Sequence, residues 1–82
     1  MYNIEFSSKL QTAKIPKQDY LRIRDKVIIL AQDPRPRWSE KLKNRDAYRI
    51  AVGNYRVLYE IDEGKKLVVI LTIGHRKDVY RS

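Results

Sequence analysis

Eighty-two residues suffice for one domain, spanning 1–82, and nearly every apolar run must go into its single core. A net charge of +8 and a pI near 9.9 call for a polyanionic partner; nucleic acid comes first, although a ribosomal surface, anionic lipid or an acidic protein would satisfy the same field. No cysteine and one histidine exclude a disulfide framework, a thiol nucleophile and a thiolate or all-imidazole zinc site, so neither metal nor cofactor is expected.

Tyr2, Ile4 and Phe6 alternate with Asn3 and Glu5 and predict a short strand with one buried face. Ser7 or Ser8 is then placed to cap a helix starting at Lys9. The pattern breaks at Ile15-Pro16 and resumes, with Pro16 in the first turn, as a second helix to about Gln32, which together predict an α-hairpin. Tyr20, Ile23, Val27, Leu30 and Ala31 share one face of the second helix, with Leu21 and Ile28 on its flank, and Ile29 points outward. Asp33-Pro34-Arg35-Pro36 stops the helix, because proline cannot continue it.

The next stretch, 35–45, holds Arg35, Arg37, Lys41, Lys43 and Arg45 around Trp38, a composition suited to a phosphate backbone beside an aromatic platform. An indole at this junction can equally serve to cover a sheet edge. Residues 47–52 and 55–61 are β-rich runs across Gly53-Asn54, a hairpin signal. Asp62-Glu63-Gly64-Lys65 makes the following turn. Leu67 to Ile73 is apolar at both parities, as in an interior strand covered on two faces. The expected fold class is therefore α+β: an N-terminal strand, an α-hairpin, then antiparallel strands in one small sheet with the helices on one face.

Period two sends Tyr48, Ile50, Val52, Val57, Tyr59 and Ile61 toward the helices. Arg49, Ala51, Arg56, Leu58 and Glu60 then occupy the open face. Arg76, just past the last strand, can join Arg49 and Arg56 in a phosphate clamp; the plainer reading pairs the two strand arginines with Glu60 or Asp62. The ending Gly74-His75-Arg76-Lys77-Asp78-Val79-Tyr80-Arg81-Ser82 combines a group that titrates near neutrality, fixed positive charge and a stacking ring, the equipment for holding and cutting an RNA phosphodiester. No leader, apolar span, GxxxxGK[ST] loop, GxGxxG turn or internal repeat is present, so a cytoplasmic protein without nucleotide-dependent chemistry is expected.

The run Tyr48-Arg49-Ile50-Ala51-Val52-Gly53-Asn54-Tyr55-Arg56-Val57-Leu58-Tyr59-Glu60, followed by Gly74-His75-Arg76-Lys77-Asp78-Val79-Tyr80-Arg81, resembles the RelE/ParE superfamily of toxin–antitoxin toxins, on the RelE side. The resemblance covers the whole chain. It implies a toxin that enters the A site of the 70S ribosome, cleaves the bound mRNA and is blocked by an acidic antitoxin. Cleavage would be metal-free: the 2′-OH attacks the adjacent phosphorus, giving a cyclic 2′,3′-phosphate and a free 5′-OH. Arg56 then matches the arginine that grips the scissile phosphate, Arg76 the one that stabilises charge or protonates the leaving oxygen, and Tyr80 the tyrosine that stacks on a nucleotide. Arg49 stands where the best-known members carry a catalytic lysine, and His75 where relatives have lysine or histidine. Ala51 replaces a second basic residue found in some members, which leaves the general base unassigned. Arg37, Lys41, Lys43, Arg45, Lys77 and Arg81 are the expected RNA and ribosome contacts. A ParE-like gyrase poison and a catalytically weak module that only binds antitoxin or RNA are the competing readings.

Overall fold

The computed structural model describes residues 1–12, 14–43 and 46–79 and, within them, every side chain except those of residues 9, 11, 12, 78 and 79. The elements follow in the order β1 (Asn3–Thr12), α1 (Lys17–Gln32), β2 (Ser39–Lys41), β3 (Tyr48–Val52), β4 (Tyr55–Asp62), β5 (Leu67–His75) and the four-residue α2 (Arg76–Val79). The strands form one sheet in the order β1-β5-β4-β3-β2. From β2 to β5 all pairings are antiparallel, whereas β1 runs parallel to β5. This is the α+β class that the sequence predicts, with a mixed rather than wholly antiparallel sheet.

The predicted α-hairpin does not form. Its first arm is the second half of β1, which continues through a register irregularity between Phe6 and Gln11 until Thr12 lies opposite Ile73. The physical reason is length. Between Ser8 and Pro16 there is room for about two turns, too few to outweigh the cost of helix nucleation, and a residue before proline is biased toward extended geometry. The edge of β5 meanwhile offers ladder partners for backbone groups that would otherwise go unpaired.

α1 packs Ile23, Val27 and Leu30 onto Ile50, Val57, Tyr59, Val68 and Ile70, all buried, as the helical stripe predicts. Its cap is Pro16, whose carbonyl accepts from the Tyr20 amide at 2.9 Å, and its last turn is closed by the Asp33 amide on the Ile29 carbonyl at 3.0 Å. Without a neighbouring helix, the flank of the stripe is uncovered. Tyr20 and Phe6, which the sequence places on the buried faces of the helix and of the first strand, are instead 54 % and 55 % exposed, and Ile28 on the flank is 54 % exposed; with Ile4, Val27 and Ile73 they line an apolar groove of about 270 Å³ between α1 and β1. Ile29 is exposed, as expected.

Both predicted turns are present. Gly53 adopts φ +60° in the β3–β4 turn, a conformation that a side chain would strain, and Lys66 adopts φ 52° at the end of the β4–β5 turn. The β4–β5 ladder also contains a bulge that the sequence does not announce. Leu58 lies opposite Thr72 and Tyr59 opposite Ile70, so Leu71 is the extra residue. Before the bulge Val68 and Ile70 face the helix; after it Ile73 does.

Two polar anchors tie the layers together. The Tyr59 hydroxyl, deep in the core, donates to the Pro34 carbonyl at 2.7 Å, and burial pushes its pKa up to about 12. Glu63, in the β4–β5 turn, accepts from the Tyr2 hydroxyl and from Arg35 Nη1, each at 2.6 Å, with Lys66 Nζ at 3.6 Å. The Tyr2 hydroxyl, followed by Arg35, holds the Glu63 carboxyl at about 2, well below its ordinary 4.5, while the bonds to Tyr48 and Glu63 raise the Arg35 guanidinium still further.

Tyr59→Phe should cost about 1–2 kcal/mol by leaving the Pro34 carbonyl without its donor, measured by urea unfolding. For Glu63 the sign follows from a depressed pKa: its contribution is complete above 4.5 and lost as pH falls toward 2. The melting-temperature gap between wild type and Glu63→Gln should therefore be widest above that window, close within it, and shrink in 1 M salt because the group is exposed.

Candidate functional site

The face of the sheet turned away from α1 carries Arg49 and Arg56. β3 and β4 are joined across Gly53-Asn54 in a register that sets Ala51 opposite Arg56 and Arg49 opposite Leu58, and β2 sets Glu40 opposite Arg49. Trp38, Glu40, Arg49, Ala51 and Arg56 line a cleft of about 90 Å³. The methyl group of Ala51 is the reason there is space: directly opposed side chains in a ladder lie about 5 Å apart, and a long one here would fill the gap. Trp38, 40 % exposed, forms one wall and has Lys26 Nζ from α1 at 4.6 Å over its ring. The indole thus borders the sheet edge, as one sequence reading holds, and also presents an aromatic surface to the cleft.

Arg49 donates to Glu40 Oε2, which replaces the expected pairing with Glu60 or Asp62. Its side chain is 22 % exposed against 68 % for Glu40, so the guanidinium is the held partner and the carboxylate the accessible one. Arg56 Nη1 donates to the carbonyls of Gly53, at 3.0 Å, and Tyr55, at 2.9 Å, and so curls toward the β3–β4 turn. The Arg76 amide donates to the Asn54 carbonyl at 2.8 Å. One two-residue turn therefore anchors the guanidinium of Arg56 and the first residue of the tail helix. Leu58 shares this face by alternation but is only 5 % exposed; the face is partly covered rather than open throughout.

His75 lies elsewhere. It is paired with Tyr55, whose ring it meets edge-on at a centroid distance of 5.8 Å, and Tyr55 packs against the core beneath α1. The bulge at Leu71 causes this: one extra residue turns Thr72 and Gly74 toward the arginine face and Ile73 and His75 toward the helix face. At the strand end, His75 Nδ1 accepts from the Lys77 amide at 3.3 Å. A neutral imidazole bonded in this way carries its proton on Nε2 and offers it as a donor.

The remaining sequence candidates scatter. Arg37 is exposed in the turn before β2, Lys43 is exposed beyond it, and Lys77 is exposed in α2. Lys41 lies opposite Tyr48, and alternation aims it to the side away from Glu40 and Arg49. Arg45, Tyr80 and Arg81 lie outside the described residues. Arg35, part of the basic stretch, is taken up by Tyr48 and Glu63. Sequence reasoning overlooked Glu40, whose position depends on a three-residue strand with no apolar pattern.

Comparison with known proteins adds the following. The family model for the ParE toxin of type II toxin–antitoxin system, parDE, matches residues 5–80. The toxin RelG of Mycobacterium tuberculosis is 55 % identical over 29 residues, 35 % of this chain; the match spans only 33 % of that relative's length. Among solved structures, the archaeal RelE–RelB complex from Pyrococcus horikoshii matches with a TM-score of 0.77 and 29 % identity, covering 92 % of this chain and 94 % of the other. The toxin–antitoxin complex RelBE2 from Mycobacterium tuberculosis matches with a TM-score of 0.75 and 26 % identity, covering 92 % and 98 %.

Because Trp38 is the single tryptophan, its fluorescence reports on the cleft. Titration with a short RNA should quench or shift the emission, and Arg56→Ala should weaken that binding about tenfold or more, the worth of a lost charge-assisted hydrogen bond.

Proposed function

The chain belongs to the ParE toxin family of type II toxin–antitoxin systems, and from that premise we propose that it is a RelE-like endoribonuclease that cleaves mRNA in the ribosomal A site. The observation that carries the reading is the cleft walled by Trp38, Arg49 and Arg56, beside the turn that anchors Arg76. An RNA phosphate seated over Ala51 has a guanidinium on either side and an indole for a base to stack on. As the 2′-oxygen attacks, negative charge builds on the phosphoryl oxygens, and preorganised cations supply the largest stabilising term. His75 is assigned the role of acid for the leaving 5′-oxygen, which its imidazolium form can protonate and so become neutral, and Tyr80 that of orienting a nucleotide. Arg37, Lys41, Lys43, Arg45, Lys77 and Arg81 make sequence-independent contacts to RNA and ribosome.

The arrangement also supports a dependence on the ribosome. The acid and the cations belong to different faces of one sheet and meet only at its end, so a substrate must be bent around that end to reach both. Orientation of this kind can contribute roughly 7–11 kcal/mol to a barrier. In the cell the protein acts in the cytoplasm and is held silent by an acidic antitoxin, a partner suggested by the RelE–RelB complexes that share its fold and by its charge of +8.

Expression without an antitoxin should halt translation and yield discrete mRNA 5′ ends within coding sequence, mapped by primer extension, while a naked oligonucleotide at physiological salt is cut poorly. Arg56→Ala and Arg76→Ala should each abolish these ends while the circular dichroism spectrum stays unchanged. Intact mRNA accompanied by gyrase-linked DNA breaks would replace this reading with that of a gyrase poison; binding without either would leave an inactive module.

A further inference from the structure

The indole that walls the cleft is held from behind. Trp38 stands immediately before β2, a three-residue strand at the edge of the sheet. Its backbone is fixed nonetheless. The amide and the hydroxyl of Ser39 both donate to the Pro36 carbonyl, at 2.9 and 2.8 Å, Pro34 and Pro36 are buried, and the Tyr59 hydroxyl holds the Pro34 carbonyl. What this leaves to be fixed is the ring, which turns about two side-chain torsions of a residue that is 40 % exposed.

Lys26 supplies that constraint. Its Nζ sits 4.6 Å from the centroid of the ring. It is half-buried on a helix whose Lys17, Arg22 and Arg24 are exposed, and among the described residues it pairs with no carboxylate. The indole is its partner; a lysine present only for solubility would extend its ammonium into water. Lys26 does not line the cleft, whereas Trp38 lines it together with Ala51 and Arg56. Because α1 covers one face of the sheet and the arginines occupy the other, the indole stands between the ammonium and the cleft. A cation on one side of an aromatic ring draws π density toward itself, and the opposite side then repels a stacked base less.

We propose that Lys26 is a positioning residue of the RNA site: it backs the Trp38 indole from the helix side and fixes the ring as the surface on which one base of the RNA stacks. The inference rests on the proposed reading of the cleft as an RNA site. Lys26 itself touches no RNA, so its effect passes through Trp38 and depends on a base being present to stack. A lysine that reached a phosphate instead would act on any ribose-phosphate chain, with or without bases, and would steepen the salt dependence of binding.

The test measures, by fluorescence anisotropy, the binding of two labelled strands to the full-length protein: a short oligoadenylate, 2′-O-methylated so that it stays uncut, and an abasic ribose-phosphate strand of equal length. Trp38→Leu should weaken the oligoadenylate about tenfold, within the range for one lost base stack. Lys26→Met keeps an unbranched stem and should weaken it about three- to fivefold, the share of a cation–π contact, with the abasic strand held within about 1.5-fold of wild type. Lys26→Arg, which can lie over the same ring, should restore most of the binding. In the free protein, acrylamide should quench Trp38 more steeply in Lys26→Met than in wild type or Lys26→Arg. In the Trp38→Leu background Lys26→Met should add nothing, because the ring through which it acts is gone. Equal weakening of both strands by Lys26→Met overturns the proposal and makes Lys26 a phosphate contact. A loss that persists without Trp38 overturns it too, as do unaltered oligoadenylate binding, unaltered quenching, or a wild type that holds the two strands equally. Cleavage of ribosome-bound mRNA by the wild type is read separately: a protein that binds as expected and cuts nothing refutes the nuclease reading while the role of Lys26 stands.

Discussion

The β4–β5 ladder, from Tyr55 opposite His75 to Asp62 opposite Leu67, is the constraint on which the rest of the molecule depends. β5 accepts β1 on its other edge, β4 carries β3 and through it β2, and α1 finds its apolar platform on the face that Val57, Tyr59, Val68 and Ile70 present. One irregularity in this ladder decides which side chains share a face. With strict alternation His75 would project on the same side as Arg56. The extra residue at Leu71 sends it to the other side, against Tyr55. A single inserted position therefore separates the imidazole from the guanidinium groups while keeping both at one end of the sheet.

Charge is arranged in two distinct ways. Around Glu63 it is structural: a carboxylate held by Tyr2, Arg35 and Lys66 ties the start of β1, the loop after α1 and the β4–β5 turn to one point. Around Ala51 it lines a space, with arginine on two sides of a small cleft and a carboxylate at the rim. Arg35 and Arg49 are alike in composition, yet the first is consumed by architecture and the second borders a space. The basic stretch that begins at Arg35 is consequently no uniform patch: Arg35 belongs to an anchor, Arg37 to a turn and Lys41 to the face of an edge strand turned away from Arg49, with Lys43 beyond that strand.

Much of this could be read from residues alone. The Gly53-Asn54 turn announced the β3–β4 hairpin, because few other dipeptides accept its backbone angles. Asp33-Pro34 marked the helix end, and Ile23, Val27 and Leu30 marked its buried stripe. The parity of Arg49 and Arg56 followed from the period of a strand. The bulge could not be read, because Leu67–Ile73 is apolar at every position and so carries no phase to reveal a slip. The segment from Lys9 to Thr12 suits a short helix or a strand equally well; the edge of β5, invisible in the sequence, decides between them. Glu40 was missed because β2 is three polar residues whose meaning comes only from lying opposite Arg49.

The parallel pairing of β1 with β5 sets the order in which such a chain can be completed. Asn3 meets Leu67, so the first strand to emerge during synthesis waits for the last before it gains a neighbour, and contacts of such long sequence separation form late. The meander from β3 to β5 pairs only locally and can assemble early, with the arginine cleft largely contained within it. α1 acquires its full platform only when β5 is in place. A nascent chain short of that strand holds its apolar helix stripe uncovered, the state in which partly made proteins are most prone to misassociate. Both β1 and α1 therefore lack their full set of partners until β5 has been made.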